Sequence, residues 1–116
     1  MKYLLLIYEN EAVAAGMAEA DQGKIWNEYM EYTDDIKAKG QHIAGEALQP
    51  VATATTVRVK DGRTVSTDGP FAETREQLGG FYMVEAKDLD EAIALAARIP
   101  ASRTGSVEVR PILPTM

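Results

Sequence analysis

The sequence predicts an α+β sandwich, with an antiparallel sheet carrying two helices on one face. Three observations predict it. Lys2–Tyr8 is a nearly unbroken apolar run, as expected for a central strand buried on both faces. Two amphipathic helical patterns each lie between strand-like runs. Asp61-Gly62 separates two further strand-like runs, a strong signal for a two-residue hairpin turn. Strand–helix–strand, a hairpin, and strand–helix–strand again is the element order of that class.

Each element has its own justification. Asn10–Gly16 reads as a loop after the first strand. From Ala18 to Lys39, residues Ile25, Trp26, Tyr29, Thr33 and Ile36 recur at helical spacing with charges on the other side, so this is an amphipathic helix. Gly40 suits a left-handed stop, and Lys37 and Lys39 suit a helix C-terminus. His42–Leu48 reads as the second strand, and Gln49–Thr53, with Pro50, as a linker. Thr55–Lys60 and Arg63–Thr67 form the hairpin. Its turn places Lys60 opposite Arg63, Arg58 opposite Val65, Val57 opposite Ser66 and Thr55 opposite Asp68. Alternation then puts Arg58 and Asp68 on different faces, so no salt bridge joins them.

Phe81–Ala86 reads as the next strand. Asp88 caps a helix that has Glu91 at its third position. That helix runs to about Ile99, where Pro100 ends it. Its inner stripe of Leu89, Ala92, Ile93 and Ala96 is small, which lets it lie close to a sheet. Ser106–Arg110 is the last strand, and Pro111 and Pro114 leave a tail. The whole is a ferredoxin-like sandwich. Leu4 and Leu6 lie on one side of the first strand, with Tyr3, Leu5 and Ile7 on the other. Both sheet faces therefore need cover, and the two helices supply only one. A homodimer through the open face is the expectation.

Composition narrows the function classes. A chain of 116 residues holds one domain, spanning 1–116. Cysteine is absent, which removes disulfides, thiolate catalysis and cysteine metal sites. The net charge is −6 and the pI about 4.7, with lysines and arginines scattered. Nucleic-acid binding through phosphates is not expected. The N-terminal apolar run ends at Glu9, lacks a small-residue cleavage site and is too short to span a membrane, so it reads as a strand and not as an export signal. A cytoplasmic protein without membrane contact is the expectation.

The stretch Thr67–Tyr82, TDGPFAETREQLGGFY, holds the candidate chemistry. A connector this long with charges at defined places is more often functional than a simple turn. Asp68 reads either as a general acid or base in a cleft or as an Asx-turn residue. Phe71 is then a cleft wall or a core plug. Glu73 and Glu76 could build a pocket with Asp68 suited to proton transfer, or stand in a solvated loop. Thr74–Gln77 matches a capping box for one helical turn. Gly79-Gly80 resembles a bulge or a point of close approach. Arg58 suits an anionic group, or a dimer salt bridge with Glu46 or Glu108. Tyr8, Trp26, Tyr29 and Tyr82 read as core or as cavity lining. A divalent cation on the carboxylates of this stretch is an alternative, but no zinc or calcium-loop spacing occurs, and the expectation is no metal and no cofactor.

Several motifs carry a family resemblance. DGPFAETREQLGGFY, the upstream ATTVRVKDG and GEALQP, the later DLDEAIALAARIP and GSVEVRP, and the opening MKYLLLIYEN resemble the DGPF-domain branch of the YCII-related proteins. The likeness covers essentially the whole chain. It implies a dimeric α+β barrel, in which two ferredoxin-like sheets pack face to face, with a cleft at the helices or the dimer interface. It also implies either a small-molecule site with acid–base chemistry at Asp68, or a regulatory module linked to an extracytoplasmic-function sigma factor. Some related enzymes pair a His with an Asp. The single histidine here, His42, does not fall where that His would, so only Asp68 carries over.

Overall fold

A computed structural model describes residues 1–114. Four strands form the main sheet: β1 (Lys2–Glu9), β2 (His42–Ala47), β5 (Gln77–Glu85) and β6 (Ser106–Pro111), in the order β2-β5-β1-β6. All neighbours are antiparallel. β3 (Thr55–Lys60) and β4 (Arg63–Asp68) make a separate two-stranded ribbon. The helices are α1 (Glu11–Ala15), α2 (Glu19–Ala38) and α3 (Leu89–Ala97). This is the ferredoxin-like arrangement with a hairpin inserted between β2 and β5.

The core lies between the sheet and the helices. Tyr3, Leu5 and Ile7 of β1 and Tyr82 and Val84 of β5 meet Tyr32 and Ile36 of α2 and Ala92, Leu95 and Ala96 of α3. Leu5, Ile36, Ile99 and Val84 are fully buried, each stabilising the fold by roughly 1.5–3 kcal/mol through removal of apolar surface from water. The helix stripes differ from the expected ones. In α2, Trp26 is 64% exposed while Tyr32 is buried. The inward stripe runs Ile25, Tyr29, Tyr32, Ile36, and Trp26 lies one residue, about 100°, off it. In α3, Leu89 and Ile93 are about half exposed, and Leu95 takes the core position.

Asn10–Gly16 is not a loop. Asn10 Oδ1 accepts from the Val13 amide at 3.0 Å and caps the short α1, since a side-chain oxygen satisfies an otherwise orphaned helical N–H. α2 stops as expected: Gly40 takes φ 71° and the Gln41 amide returns to the Ile36 carbonyl. Asp88 caps α3 through the Glu91 amide at 2.9 Å. That helix ends at Ala97, and a 3₁₀ turn over Pro100–Arg103 follows.

β5 begins at Gln77, earlier than Phe81, so Gly79 and Gly80 lie inside it. Ile7 pairs with Gly80 and Tyr8 with Leu78, which leaves Gly79 as the extra residue of a bulge. A Cβ on Gly80 would stand 2.8 Å from the Glu46 carbonyl oxygen. Thr74–Gln77 forms no helical turn, because Gln77 is already strand. Pro111 belongs to β6 and pairs with Tyr3; a proline fits there because β6 is an edge strand. The tail beyond 114 lies outside the described residues.

The two sheet faces are unlike. On the side away from the helices lie Leu4, Leu6, Tyr8, Phe81 and Met83, all half-buried. Glu46, Glu108 and Arg110 border them on the outer strands. Among the described residues no helix covers this face. The β3–β4 hairpin keeps the expected register, with Thr55 opposite Asp68 and Lys60 opposite Arg63. Among the described residues, no other element packs substantially on it. The radius of gyration is accordingly 16.1 Å, against about 13 Å for a compact chain of this length.

Candidate functional site

The stretch 67–82 divides between two places. Its first part closes the foot of the hairpin. Gly69, at φ 98°, turns the chain out of β4, a conformation glycine adopts without a Cβ clash. Its amide donates to the Ala54 carbonyl at 2.7 Å, and Thr56 Oγ1 donates to the Gly69 carbonyl at 2.8 Å. Asp68 is exposed, and among the described residues its carboxylate accepts no hydrogen bond. The Asx-turn role thus falls to backbone bonds around Gly69. Phe71 is 81% exposed and plugs no core. Glu73 is exposed as well.

The second part returns to the end of β1. Gln77 Nε2 donates to the Thr74 carbonyl at 2.6 Å, and Asn10 Nδ2 to the Arg75 carbonyl at 3.2 Å. The Glu11 amide donates to Gln77 Oε1 at 2.9 Å, and Glu11 Oε2 accepts from the Val51 amide at 3.0 Å. Short α1, the 49–54 linker and the 70–76 loop are therefore tied into one corner. Beside that corner Ser106 Oγ donates to Glu76 Oε1 at 2.7 Å. Ser106 pairs with Tyr8 across β1 and β6, and Leu78 pairs with Tyr8 across β1 and β5. Paired residues share a face, so Tyr8, Ser106 and Leu78 stand together at one end of the open sheet face, with Glu76 reaching in.

Tyr82 belongs elsewhere. It lies on the helix side, 8% exposed, and so does not share a surface with Tyr8. Its hydroxyl is 2.7 Å from Thr33 Oγ1, and Thr33 in turn donates to the Tyr29 carbonyl at 2.8 Å. Burial raises the Tyr82 pKa, with the Thr33 bond working against it. Burial also raises Tyr29 and Tyr32; nearby Glu9 adds to the first and Tyr82 to the second. The Tyr32 ring meets Tyr82 edge-on at 5.3 Å and carries the Arg98 guanidinium 5.1 Å from its centre. His42 meets Tyr82 edge-on at 6.2 Å. This cluster fills the core between α2 and the sheet.

Arg58 stands on the hairpin beside Val65, exposed and without an ion pair among the described residues. The fold thus brings Glu76 and Tyr8 together. It leaves Asp68, Arg58, Phe71 and Glu73 on the projecting hairpin and its foot. A shallow depression of about 350 Å³ lies apart from both, lined by Glu28, Glu31, Tyr32, Asp35 and Arg98. Arg98 pairs with Asp35 there at 2.6 Å. Among the described residues no three His, Asp or Glu side chains gather as metal ligands. No helix there is long and apolar enough to cross a membrane.

Sequence reasoning missed Ser106, Asn10 and Glu11. Asn10 carried a usable signal, as a capping residue type directly before an acidic first turn. Ser106 carried none, because its link to Glu76 depends on which strands flank β1.

Comparison with known proteins bears on the whole chain. The YCII-related domain matches residues 1–116. A relative from Rhizobium meliloti (strain 1021), described as an uncharacterized protein, is 34% identical over 114 residues, covering 97% of this chain and 92% of the relative. With both matches spanning the four-stranded sheet and the hairpin alike, the chain belongs to the family of YCII-related domains.

Proposed function

We propose that this chain, a member of the DGPF branch through Asp68-Gly69-Pro70-Phe71, acts as a homodimer that binds a small polar molecule. The binding place is the end of the open sheet face. The observation that carries this reading is the Ser106–Glu76 hydrogen bond of 2.7 Å beside Tyr8. A carboxylate held by a hydroxyl next to an aromatic wall can accept a proton or a hydrogen bond from a ligand. A second sheet laid on the open face would remove this mouth from bulk water, which strengthens its electrostatics. Asp68 is then the second proton carrier, with Glu73 following it in sequence, while Arg58, on the opposite face of the ribbon, offers an anionic group a separate anchor. Both Asp68 and Arg58 come from the hairpin.

The test is a ligand-observed NMR screen with small carboxylic acids and amides. A binder that shifts Tyr8 and Ser106 resonances, and loses affinity in both Glu76→Gln and Asp68→Asn, supports the reading. Binders unaffected by both substitutions overturn it.

The exposed Phe71 favours a second reading. Aromatic side chains, phenylalanine among them, are enriched in protein interfaces, where they serve as anchors. Here the domain would be a non-catalytic interaction module for an extracytoplasmic-function sigma factor. Co-purification of such a factor with the intact chain, lost in Phe71→Ala, supports this alternative. Retention of the factor in that variant excludes Phe71 as its contact.

A further inference from the structure

We propose that the β3–β4 hairpin is a dimerisation arm that lays its valine face on a second copy of this chain. The inference rests on the homodimer reading above and adds how the dimer is held.

The hairpin is unfinished as a monomer element. A lone two-stranded ribbon is marginally stable in water and needs a further surface to pack on. Among the described residues, no element of its own chain packs substantially on it. Its two faces are chemically distinct. Thr55, Val57 and Val59 share one face with Thr64, Ser66 and Asp68, as the register dictates. Val57 is 60% and Val59 68% exposed. Arg58, Lys60 and Arg63 share the other face with Thr56, Val65 and Thr67. One face suits contact, and the other suits solvent. The three cations also discourage strand-on-strand growth into larger aggregates.

Area argues for a second copy as the occupant. Four strands of six to nine residues give the open sheet face a footprint of roughly 450 Å². A standard interface covers about 800 Å² per partner, with a lower limit near 600 Å². The sheet face alone falls short. One face of a six-residue ribbon adds about 200 Å², which reaches that limit. Charge agrees. The whole chain carries −6, yet the hairpin holds three cations against Asp61 and Asp68, so the rest is more acidic still. The net positive charge of the arm steers it towards an acidic copy at long range, while its three cations stay on the solvent face. Seated there, the arm also delivers Asp68, which lies on its valine face, against the other protomer.

Sedimentation velocity over a concentration series tests this with wild type, Val57→Asp/Val59→Asp, and Leu6→Asp. Because both valines are exposed in the single chain, the double variant keeps the fold, which circular dichroism checks. The expected result is a dimer whose Kd rises about tenfold or more in the double variant, at least about 1.4 kcal/mol. A dimer that Leu6→Asp breaks and the valine variant leaves unchanged overturns the arm alone. A wild type that is monomeric throughout overturns the dimer reading and the arm with it. The chain lacks cysteine, so Asp61→Cys carries a benzophenone at the arm tip only. Photolysis should give a covalent dimer; cross-links confined to one chain overturn the inference.

Discussion

Thr33 has one hydroxyl proton, and it goes to the Tyr29 carbonyl. The Thr33 oxygen also lies 2.7 Å from the Tyr82 hydroxyl, a bond that works against the burial that raises Tyr82. Tyr29, Tyr32 and Tyr82 all keep their protons more tightly in the fold than the ordinary tyrosine value of 10.0, chiefly through burial. Below pH 10 both folded and unfolded chains are protonated, and the contribution to stability is intact. Above it the unfolded chain releases protons that the fold retains, so stability falls as pH rises. Urea midpoints should decline steadily from pH 10 upward, and a flat profile would contradict the assignment. Asp35 runs the other way. Its pKa is lowered by the Arg98 and Lys39 hydrogen bonds, so its contribution is present above the ordinary carboxylate range and lost in acid. Gly105 is a steric case. A Cβ there would collide with the Tyr8 carbonyl, and the backbone cannot yield as a flexible side chain can. Gly105→Ala should cost roughly 3 kcal/mol in urea unfolding.

Elements are fixed by their ends as much as by their faces. α3 depends on Asp88, whose carboxylate accepts from the Glu91 amide, while Glu91 Oε1 accepts from Lys87 at 3.3 Å. Asp88→Ala should therefore lower stability by about 1 kcal/mol, read as a lower urea midpoint with unchanged slope. That box was legible in four consecutive residues, as was the Asp61-Gly62 turn and the full hairpin register. The inward stripes were not. Trp26 and Tyr32 are both large and apolar enough for a core, and only the angle at which α2 crosses the sheet selects between them. The same limit applies to Glu76. Its residue type and loop position marked it as a candidate, but its partner Ser106 lies 30 residues away in sequence.

At the scale of the molecule the governing fact is a flat body, 48 × 45 × 19 Å, with one uncovered apolar face and one projecting ribbon. Hydrogen exchange should separate them. Amides of β1 and β5, flanked on both sides in the sheet, should exchange slowest. Those of β3 and β4 should exchange near the rate of loops in dilute protein, and slow as concentration favours association. Uniform protection at all concentrations would mean that the ribbon is stable by itself.

The sequence by itself determined the order of the strands and the two longer helices, the Asp61-Gly62 turn, the Asp88 cap and the existence of two apolar sheet faces. These depend on residues within a few positions of one another, where periodicity and backbone chemistry act directly. Only the tertiary structure decided that Tyr8 and Tyr82 face opposite ways, that Glu76 meets Ser106, and that Asp68 and Arg58 stand on a ribbon clear of the body. Those outcomes depend on strand neighbours and on the bulge at Gly79, and a single-residue shift in pairing exchanges one sheet face for the other.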